Sequence, residues 1–237
     1  MARIAELDSR SLERALADRP IVVLPVGALE AHGPHLPLSA DTLQAELTAV
    51  EAAERWQGLV APAIAYGACT AARSFPGTIA VPTGELRALM GTVLGELARS
   101  GARRLLVISG HAERGHMAAL RHAAETAQAD VPTLRIALLS DYDFVYELRG
   151  KESPSDDGHA GLLETSRMLA LAPHLVGPDR PVGHRRRSAF AVGPPSPEEW
   201  PESVDGDTRP ANAELGRRIQ AHVLKRLDET VPDLLGR

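Results

Sequence analysis

Short β-branched runs that stop at glycine, separated by stretches long enough for a helix, constrain this 237-residue chain more than any other feature. IVVLPVG (Ile21 to Gly27) is continuously apolar, and RLLVISG (Arg104 to Gly110) is apolar from Leu105 to Ile108. A strand covered on both faces needs that pattern. LVAPAI (Leu59 to Ile64) reads as a further strand, broken by Pro62 and so expected near a sheet edge. GTIAV (Gly77 to Val81) is a short strand candidate, and TLRIALL (Thr133 to Leu139) another.

Helical stretches fall between these runs. DTLQAELTAVEAAERWQG sets Leu43, Leu47, Val50 and Ala53 on one face, with Gly58 as the expected C-cap. Thr83 is the expected cap of the helix through LRALMGTVLGELARSG. Further helices are expected over Gly115 to Ala129 and over GLLETSRMLALAP. From about Ala211, Leu215, Ile219, Val223 and Leu227 recur on one face. Pro173 to Pro210 holds eight of the eighteen prolines and reads as long irregular structure. Alternating strand and helix predicts an α/β fold, with a mostly parallel central sheet and helices on both faces. All 237 residues are read as one domain.

In such folds sites form beyond the carboxyl ends of the strands. The loop after the first run carries Glu30, His32, His35 and Asp41, braced by Pro34 and Pro37. The loop after Gly110 carries His111, Glu113 and His116, and a later loop and helix start bring His159 and Glu164. Imidazoles and carboxylates are the usual ligands of borderline divalent metals. Each residue also has a plainer reading. Asp41 stands where a helix-capping carboxylate belongs. His35, between two prolines, could simply bond to backbone. His122, His174, His184 and His222 read as surface residues, and Arg185, Arg186 and Arg187 as a solvated run with anion binding as a minor option. The alternating pairs Glu30–His32 and His111–Glu113 are harder to explain without a ligand.

Composition excludes other classes. The net charge of −5 gives no electrostatic reason to expect nucleic acid. The lone Cys69 rules out an internal disulfide framework and fits a reducing compartment. No apolar stretch approaches the ~20 residues of a membrane span. The N-terminal residues carry both charges and no apolar block, so they do not read as a signal peptide, and a cytoplasmic location is expected.

The motif Glu30-Ala-His32-Gly33-Pro34-His35-Leu36-Pro37-Leu38-Ser-Ala-Asp41 resembles the signature of the creatininase (creatinine amidohydrolase) superfamily. Tyr66-Gly67, Phe75-Pro76-Gly77-Thr78-Ile79, Ser109-Gly110-His111-Ala112-Glu113 and His159-Ala160-Gly161-Leu162-Leu163-Glu164-Thr165-Ser166 are similar to its later segments, in the same order. Gly206-Asp207 with Gly216-Arg217-Arg218-Ile219 is like its C-terminal stretch. The resemblance implies a three-layer α/β/α sandwich and two divalent metal ions, zinc or manganese. It implies Asp41 as the bridging ligand, Glu30 and His111 completing one metal's shell, and His32 and Glu113 the other's. His159 is then the expected general acid, with Glu164 orienting it or touching a metal. Glycines 33 and 110 would let backbone approach the site.

The expected activity is hydrolysis of a C–N bond (amide, cyclic amide or formamide) in a small molecule. The alternatives are a peptidase-like relative of the kind that matures mycofactocin and a metal-binding assembly subunit without turnover. A homo-oligomer, a hexamer, is implied. Several positions depart from the family pattern: Ser109 and Arg114 stand for asparagines, Leu162 for a glutamate, and Ala112 for the aromatic residue of creatininase. Ala71 and Ala72 occupy a region where many relatives have Ser-x-Glu-His. These changes alter the pocket wall and make creatinine itself a doubtful substrate.

Overall fold

In the computed structural model, which describes residues 2–188 and 190–236, five parallel strands form the central sheet. They are β1 (Ala2–Arg3), β2 (Ile21–Val26), β3 (Leu59–Val60), β4 (Arg104–Ser109) and β5 (Arg135–Ser140). Their spatial order is β1-β3-β2-β4-β5. The helices are α1 (Ser9–Ala17), α2 (Ala40–Trp56), α3 (Thr83–Arg99), α4 (Arg114–Asp130), α5 (Tyr142–Val145), α6 (Leu162–Leu171) and α7 (Ala213–Leu235).

All six residues of β2 are buried, because its side chains enter two cores in turn. Ile21 and Val23 pack with α2 and with Ile219, Val223 and Leu227 of α7. Val22, Leu24 and Val26 pack with α3 and α4 through Leu86, Met90, Leu94 and Leu120. These two cores on opposite faces make the expected α/β/α sandwich. Pro25 is tolerated inside a central strand because its missing N–H lies on the side where β3 has already ended. Its carbonyl accepts there from the Ile64 N–H at 3.0 Å, past Pro62.

Several local expectations are corrected. β3 does lie near the edge as expected, with only the two residues of β1 outside it, but it is shorter than the Leu59–Ile64 run. Gly77–Val81 forms no strand; Ile79 and Val81 instead donate to the carbonyls of Leu29 and Gly67, tying that segment under the site loops. Thr83 is the first residue of α3 rather than its cap, and its side chain makes no capping bond; Pro82, extended, precedes it. The C-cap of α2 is Gln57, left-handed at φ 54°, with Gly58 following it. The face of α2 turned inward is Ala45, Ala49 and Ala52 with Asp41, Gln44 and Thr48, whereas Leu43, Leu47 and Val50 are only half-buried. Small residues let α2 lie close on the sheet, and its polar ridge turns toward α6 and α7. The last strand begins at Arg135 and runs through Ser140. Within 173–210 the chain adds a small antiparallel pair, β6 (Val182–Gly183) with β7 (Gly206–Asp207). α1 was not anticipated; Asp8 caps it by accepting from the N–H groups of Arg10 and Ser11.

Candidate metal centre

β2 and β4 end side by side, with Val26 in register with Ser109, so the loops that follow open on one rim. The N-terminus of α2 is pressed against that rim. A Cβ on Gly110 would lie 2.0 Å from the Asp41 carbonyl, so only glycine lets strand end and helix start meet. Gly33, at φ +69°, turns the chain so that His32 points inward. Glu30, His32, Asp41, His111 and Glu164 are all buried, none more than 5% exposed.

Hydrogen bonding fixes which nitrogen of each imidazole faces the cluster. His111 Nε2 lies 3.1 Å from the Ala68 carbonyl and His32 Nδ1 3.0 Å from the Glu30 carbonyl. A carbonyl only accepts, so both of these nitrogens carry the proton. That leaves His111 Nδ1 facing two oxygens, Glu30 Oε2 and Asp41 Oδ2, each at 3.0 Å. His32 Nε2 in turn faces Asp41 Oδ1 at 3.1 Å and Glu164 Oε1 at 3.5 Å. Glu30 Oε2 and Asp41 Oδ2 have no hydrogen-bond partner despite being buried. An imidazole nitrogen between two carboxylate oxygens is an arrangement of three acceptors, and it wants a cation at its centre. It occurs twice, with one oxygen of Asp41 in each. The residues therefore fit two divalent ions. Glu30, Asp41 and His111 offer ligand atoms to one, and His32, Asp41 and Glu164 to the other, each set within 4.8 Å.

Without an ion, protons take the cations' place. Burial pushes the His32 and His111 imidazoles down, but Asp41 with Glu164, and Glu30 with Asp41, outweigh it and hold both well above the usual histidine range. Burial would raise the Glu164 carboxyl; His32 beside it brings it down to about 2. Glu30 and Asp41 are held below the usual carboxylate range in the same way.

The remaining residues marked from the sequence are placed as follows. Glu113 lines the same cavity but accepts from the Ala71 N–H at 3.1 Å and belongs to none of the sets of three, the third of which is Glu30, His32 and His159. The second carboxylate facing His32 Nε2, after Asp41, is Glu164 at 3.5 Å. His159 lines the cavity, its ring 4.2 Å from that of His32, and donates Nε2–H to the Ala31 carbonyl at 2.8 Å. A ring nitrogen of His159 also lies within 4.8 Å of ligand atoms of Glu30 and His32. His35 lies outside the cluster and bonds to Thr165 Oγ1 at 2.8 Å. His116 accepts from Ala68 N–H through Nδ1 and donates through Nε2 to Ser109 Oγ, which bonds the backbone of His111. Burial pushes His116 down to about 3, so it is a neutral brace beneath the site.

Sequence reasoning missed a polar network behind Glu164. Gln44 Nε2 donates to Glu164 Oε1 at 3.0 Å, and Tyr142 Oη and Arg167 Nη1 both donate to Gln44 Oε1. The buried Arg167 also pairs with Asp141 at 2.7 Å and donates to Thr48 and Gln220. Sequence reasoning missed the aromatic wall as well: Tyr142, Tyr146 and Trp200 line the cavity of about 220 Å³. The signal was scarcity. In a chain with two tryptophans, three tyrosines and three phenylalanines, an aromatic cluster is a marked choice.

A family model described as creatinine amidohydrolase, Creatininase, matches residues 5–231. The chain belongs to the creatininase family. It is 36% identical to the creatinine amidohydrolase of Pseudomonas putida over 200 residues, 76% of each chain. It is 33% identical to the mycofactocin precursor peptide peptidase of Mycobacterium ulcerans (strain Agy99), covering 93% of this chain and 88% of that one. The solved structure called "Creatininase Mn" superposes with a TM-score of 0.89 at 26% identity over 99% of both chains. A mutant creatininase of "Zn-Zn type" gives 0.89 at 28% identity, over 99% of this chain and 98% of that one. The creatininase-family relatives named by sequence here are hydrolases of carbon–nitrogen bonds.

Proposed function

We propose that the protein is a metal-dependent hydrolase that opens a C–N bond of a small molecule, an amide, cyclic amide or formamide, at a site whose residues would hold two divalent ions. One observation carries this reading: two buried imidazoles turn bare nitrogens toward the two oxygens of one shared carboxylate, Asp41. Zinc and manganese are the proposed ions, a reading supported by the similar solved structures named "Creatininase Mn" and "Zn-Zn type". When bound, such ions supply Lewis acidity and lower the pKa of a shared water toward neutrality.

The chain's own residues would do the rest. Glu30, Asp41, His111, His32 and Glu164 would hold the ions, with Glu113 at the mouth of the same cavity. Asp41 would offset repulsion between the two charges. Trp200 and Tyr146 would flank the substrate and thin out competing water. His159 Nδ1 would take a proton as water attacks and return it to the departing nitrogen, its ring held by Ala31 and by Trp200 at 5.1 Å. Ala112 and Ala71 line the cavity, which supports a substrate other than creatinine. A peptidase reading is favoured by one finding: the mycofactocin peptidase relative aligns along nearly the whole chain. We also infer a homo-oligomer, a hexamer, supported by exposed apolar side chains such as Tyr66 and Ile79.

The test is metal content by elemental analysis, together with hydrolysis of a formamide, lactam and peptide panel and of metabolite extract. Up to two ions per chain are expected, with a product gaining one water, and chelation abolishes turnover. Full metal occupancy with no turnover on any of these would favour an inactive assembly subunit instead.

A further inference from the structure

Two side chains that line the metal cavity spend their donors within the protein. Tyr142 Oη donates to Gln44 Oε1, and His159 Nε2 to the Ala31 carbonyl. Trp200 differs. It lines the cavity and is 1% exposed, yet its Nε1 is buried with no hydrogen-bond partner. A buried indole N–H ordinarily meets an acceptor, and leaving it bare is destabilising. Such an orphan asks for an explanation, and a ligand is one. The ring is held in place from several directions. The Arg185 guanidinium lies 3.9 Å from its centre, the Phe75 ring meets it at a right angle at 5.6 Å, and the His159 ring packs at 5.1 Å.

A second donor in the lining is free. Tyr146 borders the same cavity, and its hydroxyl makes no hydrogen bond among the described residues. Its ring is fixed by Tyr142 at 5.2 Å and by the Arg149 guanidinium, 3.3 Å from the ring centre. An indole nitrogen only donates, and a phenol keeps its proton at neutral pH. The cavity therefore holds two neutral donors besides the acceptors of the metal cluster, and none of those acceptors takes either hydrogen.

We infer that the substrate carries a second, uncharged carbonyl oxygen near the C–N bond that is cut, and that Trp200 Nε1–H and Tyr146 Oη–H are its hydrogen-bond donors. The class is a dicarbonyl compound, such as a cyclic imide or an acylated amino-acid amide. An anionic group fits less well. Arg185, the only arginine or lysine among the described residues of the lining, already pairs with Asp205 at 3.2 Å. Glu30, Asp41, Glu164 and Glu113 would balance the charge of two divalent ions. A carboxylate would thus enter with no free cation to meet it, whereas neutral donors suit a neutral acceptor. This inference rests on the metal-dependent hydrolase reading and names the class of substrate for that same site.

Hydroxamates chelate paired divalent ions, so they can probe the two ideas separately. Binding to the zinc-loaded protein would be measured by titration calorimetry. The probes are pentanohydroxamate, analogues of that chain with one ketone at successive positions, and a chain of the same length ending in a carboxylate. At one position the ketone should tighten binding roughly 3- to 10-fold for each donor engaged, the worth of a neutral hydrogen bond. The carboxylate should bring no gain. Tyr146→Phe, which removes only the hydroxyl, should take away one such factor. Replacing the Trp200 indole by benzothiophene, which keeps the ring shape and loses the N–H, should take away the other. Each variant is compared with its own affinity for pentanohydroxamate, so a general loosening of the site cancels. Equal binding of ketone and plain chains, a ketone gain left whole by either replacement, or a larger gain from the carboxylate would overturn the inference and leave the hydrolase reading standing. Failure of every hydroxamate to bind a chain shown to carry its metal would overturn both.

Discussion

Asp41 is buried with each of its oxygens facing a different imidazole. A single carboxylate in that position ties two charged sites into one unit, so its loss should act on both. Asp41→Asn is expected to remove at least one bound ion and to lower turnover by more than the ~10- to 100-fold typical of an outer partner. Elemental analysis with kinetics checks this. Gln44 is such an outer partner: Gln44→Ala should cost ~10- to 100-fold in affinity for the ion next to His32 and Glu164, read by competition with a chelating dye. Protons and ions compete for the same two nitrogens. The folded pKa values of His32 and His111 lie above the unfolded value of 6.5, so in the chelated protein their stabilisation is fully present below that pH. It is lost as pH rises through the raised values. The chelated protein should therefore lose melting temperature as pH rises above 6.5, while the loaded protein does not. Metal binding at neutral pH should release protons, seen by calorimetry in buffers of different ionisation enthalpy.

Helices and strands hold these residues by a few close contacts. The approach of Gly110 to the Asp41 carbonyl joins the end of β4 to the start of α2. Gly110→Ala would force them apart, costing about 1–3 kcal/mol and loosening the metal site together with the fold. By contrast, Asn212 caps α7 by accepting from the Leu215 N–H and does not line the cavity. Asn212→Ala should cost about 1 kcal/mol and leave metal content unchanged. Denaturant melts of both variants, with metal assays, separate the two kinds of contact. α6 is fixed differently. Arg167 reaches Asp141 after β5, Thr48 on α2 and Gln220 on α7, so one buried guanidinium joins three elements behind Glu164.

The whole molecule keeps a charged cluster dry by enclosing it between loops from remote parts of the sequence. Residue 30 meets residue 111, and residue 32 meets residue 164, because parallel strands bring every carboxyl end to one rim. No helix among the described residues is long and apolar enough to cross a membrane. The apolar side chains left outside, Tyr66 and Ile79 among them, are about half exposed and fit burial against another copy. Light scattering should give a mass six times that of the chain, and Ile79→Asp should lower it.

The residues alone determined the strand-and-helix alternation, since continuous apolar runs and 3.6-residue periodicity are local properties. They also marked the loops that carry Glu30, His32, Asp41 and His111, because imidazoles and carboxylates in proline-braced turns have few other uses. Only the tertiary structure decided who meets whom. Glu164 came to stand beside His32, and Gln44 and Arg167 turned inward on helices whose pattern marked only their apolar stripes. Trp200, from a proline-rich stretch with no periodicity to read, became a wall of the cavity. Such contacts depend on the distance between chain segments after packing, and one-dimensional spacing carries no record of it.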